Sequence, residues 1–195
     1  MLRDLHEADL HPPEDLPGAV GDQPRHDVHQ GVEDSAAAGW ISAQDARWLH
    51  AWFDELAAVA DAQRAEGFPV VLIHGDAAAS NVLVDPVTGQ VSGLVDWGDT
   101  ARAEATVDLA KVEPRLLPVT VAGYARNSHE ERQVAASALI RHLSWALGRL
   151  GTPPRLGESA WSSAPGARLL GLLRLTTRAA QHPAYPWSDL LAPSQ

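Results

Sequence analysis

The sequence predicts a mainly α-helical α+β domain whose β structure is confined to one short central segment with a small hairpin. Two observations lead there. Apolar residues recur at helical spacing from residue 42 to about residue 66 and through most of 105–181, whereas short β-branched runs cluster between residues 70 and 96. The chain has 195 residues, 45% of them apolar, which is enough for one well-filled core, so a single unit over 1–195 is expected.

Residues 1–10 read as a short amphipathic helix with Leu2, Leu5 and His6 on one side. His11-Pro12-Pro13 ends it, because proline lacks a donor and restricts the residue before it. Residues 12–39 are rich in Pro, Gly, Asp and His and show no periodicity, so they read as a long loop with one turn of helix near Val28–Val32. Ser42 and Asp45 have capping-box spacing. The helix they open carries Trp48, Leu49, Trp52, Phe53, Leu56 and Val59 on one stripe, and Gly67 closes it. Val70–Ile73 and Asn81–Val84 read as strands, Asp85–Gln90 as a turn, and Val91–Asp96 as a third strand that completes a hairpin with the second. Helices are expected over 105–112, 116–126, 130–150 and 165–181. Gly151-Thr152-Pro153-Pro154 breaks the last pair, and 183–195 is expected to be an extended tail. The unit thus divides into 1–39, 40–112, 113–182 and the tail.

Composition excludes several functions. The chain has no cysteine, which removes disulfides, thiolate catalysis and thiolate metal sites. A net charge of −10 argues against nucleic acid as a partner. Met1 to Glu7 carries charges where an export signal needs an apolar run, and no uncharged stretch is long enough to cross a bilayer. A cytoplasmic protein with no membrane partner is therefore expected. Residues 1–99 hold 4 Lys/Arg against 18 Asp/Glu, and residues 100–195 hold 11 against 7. The acidic half weakly favours a cationic small-molecule ligand.

The chemistry-bearing stretch is 70–110. A strand delivers His74-Gly75-Asp76 into a loop that ends at Asn81. A hairpin follows, and its second strand delivers Asp96-Trp97-Gly98-Asp99 into another loop. Side chains at the ends of adjacent strands can converge, so Asp76, Asn81 and Asp96 would form an oxygen-rich cluster. Oxygen ligands suit Mg²⁺, which takes one or two carboxylates and leaves its other positions to water and phosphate. A carboxylate beside such an ion can accept a hydroxyl proton. His26-Asp27-Val28-His29 is a weaker metal candidate, because it lies in irregular sequence without a third partner.

This stretch resembles the catalytic core of the aminoglycoside phosphotransferase and choline kinase family, small-molecule kinases with a protein-kinase-like fold. His74-Gly75-Asp76, four residues and Asn81 match the family's catalytic loop. Asp96-Trp97-Gly98 matches its metal loop, and Asp108-Leu109-Ala110 a downstream motif. The resemblance implies that Asp76 is the catalytic base or positions the acceptor hydroxyl, that Asn81 and Asp96 hold Mg²⁺ on ATP as co-substrate, and that His74 and Asp108 brace the catalytic loop. Trp97, which flanks the metal position, is expected to pack beneath the loop.

Leu2 to Leu10 resembles the helix that follows the family's interlobe hinge. The chain is therefore expected to be the C-terminal lobe, with self-association through the surface that would meet the other lobe. No strand lysine for ATP is found, since the single lysine, Lys111, follows the catalytic loop. Ala77-Ala78-Ala79-Ser80 departs from the more polar set that family members often place between the Asp and Asn. Two functions follow: phosphoryl transfer from ATP to a small-molecule hydroxyl, or a non-catalytic remnant or binding module on the same lobe.

Overall fold

A computed structural model describes residues 1–8, 28–65, 70–154, 161–182 and 186–191. In chain order the helices are α1 (Leu2–Glu7), α2 (Val28–Ala37), α3 (Ala43–Ala65), α4 (Thr106–Leu109), α5 (Leu117–Tyr124), α6 (Ser128–Leu150), α7 (Ala167–Gln181) and α8 (Ser188–Leu191). The strands are β1 (Val70–Ile73), β2 (Val82–Val84), β3 (Val91–Leu94) and β4 (Ala101–Glu104). They form two separate two-stranded antiparallel sheets, β1–β4 and β2–β3. The α+β class expected from the sequence is the one observed.

Helix α6 is the spine, and α2, α3, α4, α5 and α7 pack on it. The Asn127 side chain accepts the Glu130 N–H at 2.9 Å, satisfying one orphan donor of its first turn, and Gly151 ends it. Ala135, Ala136, Ala138, Leu139 and Leu143 are fully buried along its length. Small residues there let several helices approach one axis closely. The Ser42–Asp45 box forms in both directions: Asp45 N–H donates to Ser42 Oγ at 3.1 Å, and Ser42 N–H to Asp45 Oδ2 at 3.2 Å. Below it, Trp52 and Leu56 are buried, while Trp48 is half-buried against Trp52 at 5.1 Å between rings.

Three elements differ from the sequence reading. Residues 28–37 form a ten-residue helix where one turn within a loop was expected; 9–27, including His26 and Asp27, lie outside the described residues. Val28 and Val32, one turn apart, are buried against α3 and α6, so tertiary packing supplies what local propensity lacks. Ala-Arg-Ala-Glu at 101–104 is a strand, although it contains no β-branched residue. Pairing with β1 in the register Ile73↔Ala101 and Val70↔Glu104 makes it one, with Ala101 and Ala103 turned inward. The tail contains helix α8, whose Leu190 and Leu191 are buried and whose Leu190 carbonyl accepts the Trp52 indole N–H at 2.6 Å.

His142 is enclosed on α6, and its Nδ1 accepts Arg168 Nη1–H at 2.6 Å. Burial, with the Arg168 charge adding to it, holds its pKa well below the ordinary 6.5. The unfolded chain therefore binds a proton below pH 6.5 that the folded chain refuses, and stability falls as the pH drops through that window. Thermal melts should lose stability to this group with a slope that rises toward about 1.4 kcal/mol per pH unit as the pH drops below 6.5. In His142→Gln, whose amide oxygen can still accept from Arg168, that component of the slope should vanish. An unchanged slope would exclude His142 as its source.

Candidate active site

The two small sheets frame one site. Extending the β1–β4 register past Ile73↔Ala101 sets Gly75 opposite Asp99. Extending the β2–β3 register past Val82↔Leu94 sets Asn81 opposite Val95, where Val95 N–H donates to the Asn81 carbonyl at 3.0 Å. Strand β4, which the sequence reading lacks, thus brings the 96–99 loop back onto the loop after β1.

Asp108, on the buried turn α4, is the anchor of that loop. Its Oδ2 accepts the His74 backbone N–H at 2.8 Å, and its Oδ1 accepts the Gly75 N–H at 2.8 Å. His6 Nε2–H, from α1, reaches Oδ2 at 3.1 Å, which leaves His6 Nδ1 to accept the Tyr124 hydroxyl at 3.0 Å. Burial pushes the Tyr124 phenol up to about 12, so it stays a donor. The His74 ring is enclosed: Nε2–H donates to the Val95 carbonyl at 3.0 Å, and Nδ1 accepts the Asp76 N–H at 3.3 Å. Gly75 has φ +83°, and a methyl group at its Cα would overlap the Asp99 backbone carbonyl. Only glycine meets both demands.

Asp76 is held from both sides. Its Oδ2 accepts Asn81 Nδ2–H at 3.1 Å, and the same amide donates to the Asp76 main-chain carbonyl at 2.9 Å. Its Oδ1 lies 3.2 Å from Lys111 Nζ. The Asp76 side chain is 37% exposed, so a solute hydroxyl can reach it. With both amide hydrogens turned to Asp76, Asn81 Oδ1 is left as an acceptor, whose one hydrogen-bond partner among the described residues is Ser80 Oγ at a long 3.4 Å. Asp96, one residue past Val95, is exposed and adopts a left-handed backbone (φ +65°) that turns the chain out of β3.

The structure therefore brings Asp76 and Asn81 into contact and sets Asp96 beside Asn81 by register. An amide oxygen and an exposed carboxylate suit a Mg²⁺ ion that keeps most of its shell for water and phosphate. No cluster of three His, Cys, Asp or Glu fit for a metal occurs among the described residues; His29 instead packs on His50, with Nδ1 atoms 2.6 Å apart. Trp97 is 43% exposed, not packed beneath the loop. Its indole N–H donates to the Leu94 carbonyl, and its ring lies 4.6 Å from that of His74.

Beside Asp76 opens a cavity of about 550 Å³, walled by Lys111, Trp145, Arg149, Trp161 and Arg168. The sequence reading missed this wall, which comes from three separated segments. It also missed the part of Lys111, though a sole lysine three residues past Asp108 was a visible signal, and that of His6, which it placed only on the apolar side of the first helix.

The site thus joins a loop carboxylate gripped by an asparagine five residues on to a hairpin and an acidic turn, all carried on a helical body. The sequence profile of the phosphotransferase enzyme family matches residues 1–113, and the chain belongs to that family. It is 34% identical over 116 residues to an aminoglycoside 3'-phosphotransferase of Streptomyces ribosidificus and 32% identical over 120 residues to that of Streptomyces fradiae. Each match covers 56% of this chain and 40% of the relative. The match thus spans well under half the length of these relatives. The structure of an aminoglycoside phosphotransferase from Streptomyces rimosus aligns with 71% of this chain and 58% of its own, at 22% identity and a TM-score of 0.36.

Two substitutions test the framework. Asp108→Asn keeps the shape but turns an amide N–H toward backbone donors, and should cost about 2 kcal/mol or more in urea unfolding. Gly75→Ala should cost a similar ~2–3 kcal/mol, because backbone rather than a side-chain tip must move. A change under ~0.5 kcal/mol in either would remove that contact from the framework.

Proposed function

We propose that this protein transfers the γ-phosphoryl group of ATP to a hydroxyl of a small molecule. One observation carries the reading: the reachable Asp76 carboxylate, fixed by Asn81 at 3.1 Å, faces a cavity large enough for a small acceptor. Family membership supports it, and two relatives bear the name of aminoglycoside 3'-phosphotransferases.

In this reading the acceptor hydroxyl sits against Asp76. As its oxygen bonds to the γ-phosphorus, the β–γ bridging oxygen departs with ADP and the hydroxyl proton passes to the carboxylate. Asn81 Oδ1 and Asp96 are the oxygen donors for Mg²⁺. When bound, that ion neutralises charge on the phosphate oxygens. Asn81 also orients the base, so one side chain serves both partners. Lys111, 3.2 Å from the base, adds a positive charge on the acceptor side of the loop. Asp108 and His74 act through the backbone, holding the carboxylate where the hydroxyl arrives.

A second reading rests on Ala77-Ala78-Ala79, which puts no polar side chain between the base and Ser80: a binding module that keeps the fold without turnover. Phosphate transfer from ATP·Mg²⁺ to a panel of hydroxyl compounds separates the two. Asp76→Ala should lower the rate ~10²–10⁴-fold as for a general base. Equal rates for the two proteins would remove Asp76 from that role, and transfer to no hydroxyl compound would favour the binding module.

A further inference from the structure

The cavity beside Asp76 is cationic in an otherwise acidic chain. Among the described residues that line it, Lys111, Arg149 and Arg168 carry positive charge and Asp76 alone carries negative charge. Lys111 is paired with Asp76. Arg149 and Arg168 have no carboxylate partner among the described residues, and the buried Arg149 Nε makes no hydrogen bond. Arg168 Nη1 donates to the Ala110 carbonyl at 2.9 Å and to His142 Nδ1 at 2.6 Å, both neutral acceptors. Its guanidinium carbon lies 5.0 and 4.6 Å from the ring centres of Trp145 and Trp161.

Two guanidinium groups turned to one half-enclosed space repel each other and lose hydration. Burial, with the Arg149 charge adding to it, lowers the Arg168 pKa to about 10, which still leaves it charged at neutral pH. Such a pair is costly until an anion sits between its members, and guanidinium forks match carboxylate and phosphate oxygens. The aromatic walls add flat apolar surface beside those forks. From this geometry we propose that the acceptor carries an anionic oxygen group, carboxylate or phosphate, bound by Arg149 and Arg168 while its hydroxyl meets Asp76. This specifies the acceptor of the phosphotransfer reading above and rests on it. It reverses the weak sequence expectation of a cationic acceptor, because the cations that line the cavity among the described residues come from residues 100–195.

Calorimetric binding without nucleotide tests it with three phenols of one shape: 4-hydroxyphenylacetate, the neutral 2-(4-hydroxyphenyl)ethanol, and tyramine. Inorganic phosphate is run beside them. The carboxylate should bind about 10-fold or more tighter than the neutral phenol, and tyramine weakest. Arg149→Met, which keeps the apolar stem, should cancel about 10-fold of that preference. Arg132→Met, whose guanidinium bonds Asp189 on α8, should not change it. The tighter of phenol carboxylate and phosphate names the oxyanion.

Tyramine binding as well as the carboxylate, or an Arg149→Met preference equal to wild type, overturns the proposal. So does displacement of the anion by ATP·Mg²⁺, which would place the cations on the nucleotide. Because binding needs no turnover, the two readings fail separately. A carboxylate that binds but is never phosphorylated upholds the anion site and sinks the phosphotransfer reading. A phosphorylated tyramine does the reverse.

Discussion

The Asp108 carboxylate is the contact on which the rest of the site depends. It is enclosed by protein and collects two backbone N–H groups of the catalytic loop and one imidazole N–H from α1. A buried carboxylate is costly unless its oxygens are satisfied, and a loop leaving a strand has N–H groups that need acceptors. Each solves the other's problem. Asp76 then directly follows the anchored Gly75 and lies five residues from its amide partner, so its carboxylate has little freedom left. Such fixed placement is most of what a phosphoryl-transfer site needs from its protein, because the reaction asks for position and charge more than covalent help.

Charge is distributed in the opposite sense to what the whole-chain balance suggests. The net charge is −10, and the carboxylates crowd the first 99 residues. Many of them sit on exposed helix faces or in capping roles, as Asp45 and Glu33 do. The basic second half sends Arg149 and Arg168 inward to one cavity. Partner arguments from net charge average over a surface, whereas recognition is decided by the few groups that share a low-dielectric space.

Much of the architecture was legible. The hairpin, the Ser42–Asp45 box and the long helices followed from β-branched runs, capping spacing and apolar stripes, all of which are local signals. The spacing from His74 to Asn81 was enough to name the asparagine that grips Asp76. What escaped depends on contacts distant in sequence. Ala101–Glu104 has no strand propensity and becomes a strand through β1. Residues 28–37 become a helix because two valines find α3 and α6. The cavity wall joins residues 76, 111, 145–149 and 161–168, a meeting that no local periodicity encodes.

The His6–Asp108 contact also governs when the site can exist. Its two residues are 102 positions apart, and the loop amides that share the carboxylate are 33 and 34 positions from it. Closing the larger loop costs chain entropy that only the finished contact returns. As the chain is made from its N-terminal side, α1, His74 and Gly75 emerge before the carboxylate that will hold them, and α1 waits longer than the loop does. The site is therefore assembled late, from both directions, and a chain still short of residue 108 holds the residues of the catalytic loop without its shape.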